Sequence, residues 1–371
     1  MTSTSNQRYS VNAISCGRDH TLALLPTGNV IGWGGDGSGR IPSSTPEYCT
    51  TPAPTKAVEV LAREPLTAIA AGHGVSLGVT KERKVTVWGA NGAGIGGRIG
   101  DVAPATPQLL QDLAAVRDIV AGEFQLAAID EAGALFTWGM NLDGALGRPG
   151  APFEAPPGRV PGLPATRSLA LGKGYMVALT QDQRVYAWGG NAAGQLGLGH
   201  LRTVETPMQV PLPQRILALA AGASHTLALT TTGEVLAWGS NNHGQLAQER
   251  PAYSTAPLPV MLPERAQAVA AGMFFSLALG NSGNVYAWGW NRLGQLGLAD
   301  GDDRYRPTRI PDLSRVRSIA AGQAHAVALA SGALYGWGSN AEGQLGAAAK
   351  EQRQPTPLLA TVATHGGRHV S

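Results

Sequence analysis

The chain has 371 residues, a formal net charge of +3 at pH 7, 14% charged residues, 50 glycines and 25 prolines. This apolar, turn-rich composition excludes a disordered chain and a coiled coil. The mild positive charge differs from that of a protein that binds nucleic acid through stripes of lysine and arginine, so we predict no nucleic-acid partner. Two cysteines, Cys16 and Cys49, are too few for a disulfide framework, and we predict neither a metal nor a cofactor.

The first ten residues are polar and lack the apolar core of a secretory signal. The longest apolar stretch, 268–279, is interrupted by Gly272 and Ser276 and is too short to span a bilayer. We therefore expect a soluble, monomeric, cytoplasmic protein with no membrane contact, although delivery by a specialised secretion system stays open. The alanine- and glycine-rich composition suggests a GC-rich, bacterial genome.

Seven Trp-Gly pairs recur along the chain at intervals of 49 to 55 residues. Their tryptophans are Trp33, Trp88, Trp138, Trp188, Trp238, Trp288 and Trp337. A second series lies 15 or 16 residues before each of them: Gly17, Gly72, Gly122, Gly172, Gly222, Gly272 and Gly322. Two markers in phase indicate seven structural repeats. We predict one seven-repeat domain at 11–362, a polar N-terminal tail at 1–10 and a C-terminal tail at 363–371.

Each repeat contains four short apolar runs, which we name A to D. In the fifth repeat they lie at 216–221, 225–229, 234–239 and 257–262, bounded by Gly, Asn or Pro, and this length is typical of strands. Consecutive strands with short turns predict a four-stranded antiparallel meander. Most B–C turns hold a glycine, which accepts positive φ easily. Arg83 and Gln183 replace it in repeats two and four, so we expect those two turns to differ.

Prolines flank run D in most repeats, and proline is tolerated only at sheet edges, so D should be the outer strand. Run A commonly ends in Ala-Ala-Gly, as expected where seven innermost strands crowd a central axis. Four-stranded sheets repeated seven times predict an all-β fold, a seven-bladed β-propeller. A β-solenoid is the alternative, but coils of about 50 residues with two proline-bracketed runs would be unusual for one.

The fifth repeat carries the spaced motif Gly222-x-x-His225-x-x-Ala228-Leu229 and then Trp238-Gly239-x-Asn241-x-x-Gly244-Gln245-Leu246. This motif resembles the regulator-of-chromosome-condensation repeat, and the departures from it are concentrated in the first three repeats. The resemblance implies a seven-bladed propeller whose blades are offset from the sequence repeat, so that a C-terminal strand at 355–362 would share a blade with the N-terminal strands. That family includes exchange factors for the small GTPase Ran, chromatin binders, ubiquitin-ligase modules and a bacterial inhibitor of β-lactamases, so the fold alone does not name the function.

Repeat six departs most from the others on one predicted face. The A–B turn and the C–D connection of a meander open on the same side, and variable loops on a rigid scaffold are frequent binding sites. Aromatic, Met and Arg side chains cluster there, as in many protein interfaces. The candidate partner-binding residues are Met273, Phe274, Phe275, Trp290, Arg292, Asp302 and Asp303. Packing remains the alternative, since Phe275 occupies the position of a repeated histidine and Trp290 could fill space in its own blade.

Two further loops are candidates for contact. The loop at 35–54 is long and rich in Gly, Ser, Thr and Pro, and the loop at 148–164 is proline-rich; an irregular connection without a partner is the alternative for both. The acidic loop containing Asp300, Asp302 and Asp303 lacks the remaining ligands of a known calcium site, which favours a solvated loop.

Catalytic motifs are weak. His20, His225 and His325 repeat in register and are expected to be scaffold residues, and no histidine pair has metal-ligand spacing on one element. The Gly-x-Gly-x-x-Gly strings at 32–37 and 92–97 open no predicted helix, which a phosphate site requires. We predict a non-catalytic scaffold that binds a protein partner. The alternatives are guanine-nucleotide exchange on a Ran-like GTPase and an enzyme with its site at the propeller axis.

Overall fold

The computed structural model describes residues 11–35, 39–41, 58–60, 64–89, 107–113, 115–346 and 353–360. Within these ranges, 28 strands form seven four-stranded antiparallel sheets, joined by turns and one short 3₁₀ helix at Leu142–Gly144. The predicted seven-bladed β-propeller is confirmed. No helix in the described ranges is long and apolar enough to cross a membrane. The predicted tails at 1–10 and 363–371, and Cys49, lie outside the described residues.

Each blade contains four strands consecutive in the chain, ordered A to D from the axis outward. Blades one to three are β1 (Ala13–Cys16), β2 (His20–Leu24), β3 (Val30–Gly34), β4 (Val58–Val60); β5 (Leu66–Ala71), β6 (Val75–Thr80), β7 (Val85–Gly89), β8 (Gln108–Leu109); and β9 (Val116–Ala121), β10 (Gln125–Asp130), β11 (Leu135–Met140), β12 (Glu154–Arg159). Blades four and five are β13 (Thr166–Leu171), β14 (Tyr175–Thr180), β15 (Val185–Gly189), β16 (Val204–Gln209); and β17 (Ile216–Ala221), β18 (His225–Thr230), β19 (Val235–Ser240), β20 (Tyr253–Val260). Blades six and seven are β21 (Ala266–Ala271), β22 (Phe275–Gly280), β23 (Val285–Gly289), β24 (Arg304–Arg309); and β25 (Val316–Ala321), β26 (His325–Ala330), β27 (Ala333–Ser339), β28 (Arg353–Leu359).

The repeated tryptophans lie between neighbouring blades, and all seven are 0% exposed. Trp238 of blade five donates from Nε1 to the backbone oxygen of Gln195 in the C–D loop of blade four, at 2.8 Å. Trp288 makes the same bond to Gln245, at 2.9 Å. At these junctions the indole fills the apolar space between blades and also satisfies its one donor, so the C–D loop is fixed over the next blade.

Both glycine series have a steric cause. The glycine after each tryptophan has φ between 98° and 105°, where an L side chain is strained, and this explains the invariance of the Trp-Gly pair within the chain. At Gly222 and Gly322, a Cβ would overlap the imidazole three residues later and a backbone oxygen of the next blade. Glycine therefore lets the first residue of strand B pack back over the axial end of strand A.

The B–C turns of blades two and four do not differ from the others, so that prediction was wrong. Arg83 and Gln183 adopt φ of 62° and 66°, in the same left-handed region as Gly233 at 83°. The turn hydrogen bond is also kept, since Gln183 N donates to Thr180 O at 3.0 Å, as Gly233 N does to Thr230 O. The two blades therefore retain the turn at the expense of backbone strain.

Ring closure also differs from the expectation of a shared blade. Strands β1 to β4 form blade one by themselves, and the C-terminal strand β28 pairs with β27 inside blade seven. Blade seven meets blade one through side-by-side packing, in which Thr21 Oγ1 donates to Gln344 O at 3.0 Å and lies 3.1 Å from His325 Nε2. The structural blade thus coincides with the sequence repeat, and the ring closes through an ordinary blade junction.

Candidate functional site

The A–B turns and C–D loops lie on one face of the ring, as predicted, and we call it the loop face. In blade six the backbone nitrogen of Trp290, at the end of strand C, donates to the oxygen of Phe274 in the A–B turn, at 3.0 Å. The B–C turns meet the interblade links on the opposite face, where Leu66 N donates to Gly28 O at 2.8 Å. The candidate residues of repeat six are therefore carried by two adjacent loops.

Three rings meet on the loop face at the junction of blades five and six, and we call them the aromatic cluster: Phe274, Trp290 and His243. The Phe274 and Trp290 ring centroids are 6.0 Å apart with an interplanar angle of 82°, an edge-to-face contact. His243 lies 5.5 Å from Phe274 and 6.1 Å from Trp290. All three side chains are half-buried. The cluster is therefore partly open to solvent, and its rings pack against one another.

His243 belongs to blade five and was missed as a site residue in the sequence, where it lies outside the repeated histidine register. It reaches blade six because its loop is tightly held. Asn241 Oδ1 accepts from Leu246 N at 3.0 Å, and Gln245 Oε1 accepts from His243 N at 2.8 Å. The Asn-x-x-Gly-Gln motif is the sequence feature that could have indicated this position, because Trp288 Nε1 of the next blade donates to Gln245 O and so holds the loop against blade six.

The acidic loop is tied to its surroundings rather than freely solvated. Asp303 accepts from His243 Nδ1 at 3.0 Å and from Asn291 N at 2.9 Å, so it joins blades five and six. Asp300 pairs with Arg304. Burial raises the pKa of Asp300, but hydrogen bonds from the Asp302 backbone and Arg304 outweigh burial and lower it overall. Asp302 is the exposed member.

The remaining predicted residues fall into three environments. Arg292 is exposed beside the aromatic cluster, and Met273 is half-buried at the axis, where Gln323 Nε2 lies 3.3 Å from its Sδ. Phe275 is 0% exposed and packs in the core between blades six and seven. A side chain so completely buried cannot touch a partner, so Phe275 is removed from the candidate surface.

The propeller axis contains a cavity of about 130 Å³. Its wall is made largely of the Ala-Gly ends of the A strands, and backbone hydrogen bonds link neighbouring blades around it. These bonds run from Arg18 N to Gly72 O, His73 N to Gly122 O, Lys173 N to Ala223 O, Ala223 N to Met273 O, Met273 N to Gln323 O and Gln323 N to Gly17 O, at 3.0 to 3.3 Å. The first side chain of each A–B turn therefore stands at the mouth of the cavity, on the loop face.

One half of this axial mouth is charged. Blades one to four contribute Arg18, His73, Glu123 and Lys173, whereas blades five to seven contribute Ala223, Met273 and Gln323. Burial and the neighbouring Arg18 lower the pKa of His73. Cys16 also lines the cavity, and burial raises its pKa to about 12, so the thiol is protonated at neutral pH.

The histidines in repeat register are scaffold residues, as predicted. His20, His225 and His325 are 0% exposed, and their Nε2 atoms lie 3.0 to 3.1 Å from a Ser or Thr hydroxyl of the next blade. Burial lowers the pKa of all three, to about 4 for His225 and about 3 for His325. Among the described residues, no group of three or more His, Cys, Asp or Glu is placed to hold a metal ion.

The two other candidate loops have different outcomes. Most of the loop at 35–54 lies outside the described residues. The loop at 148–164 includes the outer strand β12, and its Phe153 is 56% exposed on the way into that strand. The dinucleotide-like string at 32–37 begins inside strand β3, and its last two residues, like the whole string at 92–97, lie outside the described residues.

The structure is a repeat propeller. Its seven blades are joined by buried tryptophans, and its variable loops lie on one face of the ring. The chain belongs to the RCC1-like domain family, which it matches over residues 92–371. Residues 11–40 match the regulator of chromosome condensation (RCC1) repeat itself.

Known relatives agree with this assignment. The chain is 33% identical over 132 residues to the ultraviolet-B receptor UVR8 of Arabidopsis thaliana and 30% identical over 131 residues to the human probable E3 ubiquitin-protein ligase HERC6. Each match covers 34% of this chain, and 29% and 12% of the respective relative, so the chain matches less than a third of either.

Solved structures support the fold. Human WBSCR16 superposes with a TM-score of 0.79 at 22% identity, covering 90% of this chain and 93% of that one. Yeast RCC1 (Prp20), crystallised with Kap60, superposes with a TM-score of 0.78 at 23% identity, covering 96% and 86%. At this level of identity the likeness concerns the propeller and not its partners.

Proposed function

We propose that the protein is a non-catalytic scaffold that recognises a protein partner through its loop face, with the aromatic cluster as the centre of contact. The observation that carries the proposal is the convergence of Phe274, Trp290 and His243 from three loops and two blades. Half-buried aromatic residues add large contact area at little cost in conformational entropy, and such residues dominate binding energy in many interfaces.

The surroundings of the cluster support the same role. Exposed Arg292 and Asp302 flank it, which gives an apolar centre with a charged rim. The His243–Asp303 contact and the hydrogen bond from Trp288 to the Gln245 carbonyl fix the loop that carries His243. Little conformational entropy is therefore lost from this loop when a partner binds. We therefore expect a partner to bind this site without rearrangement of its loops.

The test is a comparison of partner capture by the wild-type protein and a Phe274→Ala/Trp290→Ala variant. We expect one or more proteins of the native host to be retained by the wild type and lost by the variant. Their affinity, measured afterwards with purified components, should fall at least about tenfold, because hot-spot aromatic truncations typically cost 2 kcal/mol or more.

Phe153→Ala serves as the matched control, since it removes an exposed phenyl ring from the same face at blade three. It should leave capture unchanged. Equal melting temperatures of all variants would show that folding is intact. Identical sets captured by the wild type and the double variant would reject the aromatic cluster as the contact.

Guanine-nucleotide exchange is the second candidate, and it is supported by family membership together with the similar yeast protein Prp20, studied for its binding to Gsp1p and histones. In that case the loop face would distort the nucleotide site of a GTPase without bond chemistry of its own. A Ran-like GTPase loaded with a fluorescent guanine nucleotide should then release it faster when this protein is added. An unchanged release rate would reject exchange on that GTPase.

A further inference from the structure

The axial mouth differs from the aromatic cluster in chemistry, and its charges are unevenly paired. In blades one to four, Arg18, Glu123 and Lys173 line the mouth, and the pair of Arg40 and Asp19 lies next to them, where Arg40 also donates to His73 O. Asp19 pairs with Arg40, and Glu123 Oε1 lies 3.5 Å from Lys173 Nζ. Both carboxylates are therefore engaged, and among the described residues Arg18 forms no salt bridge.

Arg18 instead contacts a neutral ring. Its Nη1 lies 2.5 Å from Nε2 of His73, which must accept this hydrogen bond because a guanidinium can only donate. His73 also faces Glu123, with Nδ1 3.8 Å from Oε1, and it senses Asp19 and Arg40. A neutral acceptor leaves the charge of Arg18 uncompensated, and the guanidinium is exposed at the rim of the cavity.

A second donor stands beside Arg18 on the other side. Gln323 of blade seven is its neighbour around the mouth, and the Gln323 backbone nitrogen donates to Gly17 O at 3.3 Å. The Gln323 side-chain amide lies against Met273 Sδ, a weak acceptor. The Gln323 amide and the Arg18 guanidinium, which has no carboxylate partner among the described residues, thus line the same cavity of about 130 Å³, enough for a carboxylate group and a few waters.

We propose that the axial mouth binds a carboxylate carried by a peptide segment, held by Arg18 and assisted by the amide of Gln323. Guanidinium groups bind carboxylates in a bidentate geometry, and a concave site lined by backbone and small side chains strengthens that attraction relative to open solvent. The inference rests on the proposed function, because the same partner would supply the carboxylate. A partner bound at the aromatic cluster would reach the axis by extending across the loop face past Met273.

The experiment is an NMR titration of the isotope-labelled full chain with short capped peptides. One peptide is acetyl-Gly-Gly-Glu-Gly-Gly-amide, and its isosteric control carries Gln in place of Glu. A third peptide has only glycines and a free C-terminus, which distinguishes a side-chain carboxylate from a terminal one. We expect the Glu peptide, the free-terminus peptide or both to shift the signals of Gly17, Arg18 and Gln323, and to bind at least about tenfold more tightly than the Gln peptide.

Arg18→Gln should reduce that affinity at least about tenfold, and Gln323→Ala should reduce it by a smaller factor. Arg202→Gln is the matched control, an exposed arginine in the blade-four loop of the same face, and it should bind as the wild type does. Arg18 is exposed, so the variant is expected to fold, and an unchanged melting temperature checks this.

The inference is overturned if neither the Glu peptide nor the free-terminus peptide binds more tightly than the Gln peptide, or if the Arg18→Gln variant binds like the wild type. The outcome is separable from that of the proposed function. Carboxylate binding that persists in the Phe274→Ala/Trp290→Ala variant while capture is unaffected by that variant would reject the aromatic contact and keep the axial site. If that variant loses capture and the wild type binds no carboxylate peptide, the aromatic contact is kept and the axial site is rejected.

Discussion

At the scale of single residues, the buried histidines link the stability of the ring to pH. His225 begins strand β18 with no exposed surface, and its Nε2 lies 3.0 Å from Ser276 Oγ of the next blade. Burial disfavours the imidazolium and lowers the pKa of His225 to about 4 from an ordinary 6.5. The folded ring must therefore keep this side chain neutral.

The sign of the effect follows from proton uptake. Below pH 6.5 the unfolded chain binds a proton at His225 and the folded chain does not, so the stability present above that pH is lost progressively as the pH falls toward 4. Near pH 5 the loss amounts to about 2 kcal/mol for each such histidine. The wild type should thus lose stability in urea denaturation between pH 7 and pH 5.

The variant His225→Phe should lose about 2 kcal/mol less over the same interval, since phenylalanine does not titrate. The ring accepts phenylalanine at this position, because Phe275 occupies it in blade six. His20 and His325 remain and keep part of the pH dependence. Parallel pH curves for variant and wild type would show that His225 is not the titrating group.

At the scale of elements, the B–C turns show that the left-handed backbone conformation is required by the turn, whereas glycine only lowers its cost. Gln183 holds φ of 66° without strong side-chain support, since the one side-chain hydrogen bond it makes among the described residues, from Arg215 to Oε1, is 3.4 Å long and exposed. The left-handed conformation costs a residue with a Cβ roughly 1–2 kcal/mol, which glycine avoids. The turn persists because the strands on either side fix its ends.

Gln183→Gly should therefore raise the free energy of unfolding by about 0.5–1 kcal/mol, after the entropy of the more flexible unfolded chain is subtracted. Gly332→Gln is the mirror experiment. Gly332 has φ of 79° and open space where a Cβ would lie, so the substitution should destabilise the protein by a similar amount through the backbone alone. Chemical denaturation measures both, and a destabilising Gln183→Gly would contradict the strain argument.

The elements also show what the sequence could predict. The apolar runs, their lengths and the proline positions were sufficient to place strands A to D, because those features act within one repeat. The turn at Gln183 was mispredicted because tertiary constraints outweighed a local preference. His243 was missed because its role depends on the neighbouring blade, and nothing within its own repeat indicates a contact with Phe274.

At the scale of the whole molecule, the junction of blades seven and one resembles the interior junctions. Thr21 and Thr226 are both 0% exposed and both donate to the backbone oxygen of a glutamine in the preceding C–D loop. One local difference is Trp33, whose Nε1 has no hydrogen-bond partner among the described residues, unlike that of Trp238. The junction of blades seven and one therefore keeps the threonine hydrogen bond of an interior junction but, within the described residues, lacks the tryptophan one.

Thr21→Val tests whether this junction holds the ring closed. It should destabilise the protein by about 1–3 kcal/mol, because the Gln344 carbonyl and His325 Nε2 would lose their buried partner. Thr226→Val, at the junction of blades four and five, should cost a similar amount. A Thr21→Val cost near zero beside a normal Thr226→Val cost would mean that the ring is closed by other contacts.

The sequence could not show which blade the C-terminal strand joins, and the reason is physical. A seven-fold repeat looks the same whether strand β28 completes its own blade or another, and only the pairing of β27 with β28 decides. The candidate surface itself stays a prediction, and the structure bears only on how its residues are placed. Phe274 and Trp290 do meet, whereas the burial of Phe275 follows from packing across a blade boundary.

The agreement between blade and sequence repeat has a consequence for how such a chain can change. Since each blade in the described part of the chain is built from four consecutive strands, one duplicated or deleted repeat corresponds to one complete wedge of the ring, with its own inner and outer strand. The same property makes the interblade links equivalent cutting points. A circular permutant opened in the link between β20 and β21, with its former ends joined by a linker, would contain the same seven wedges in a rotated order.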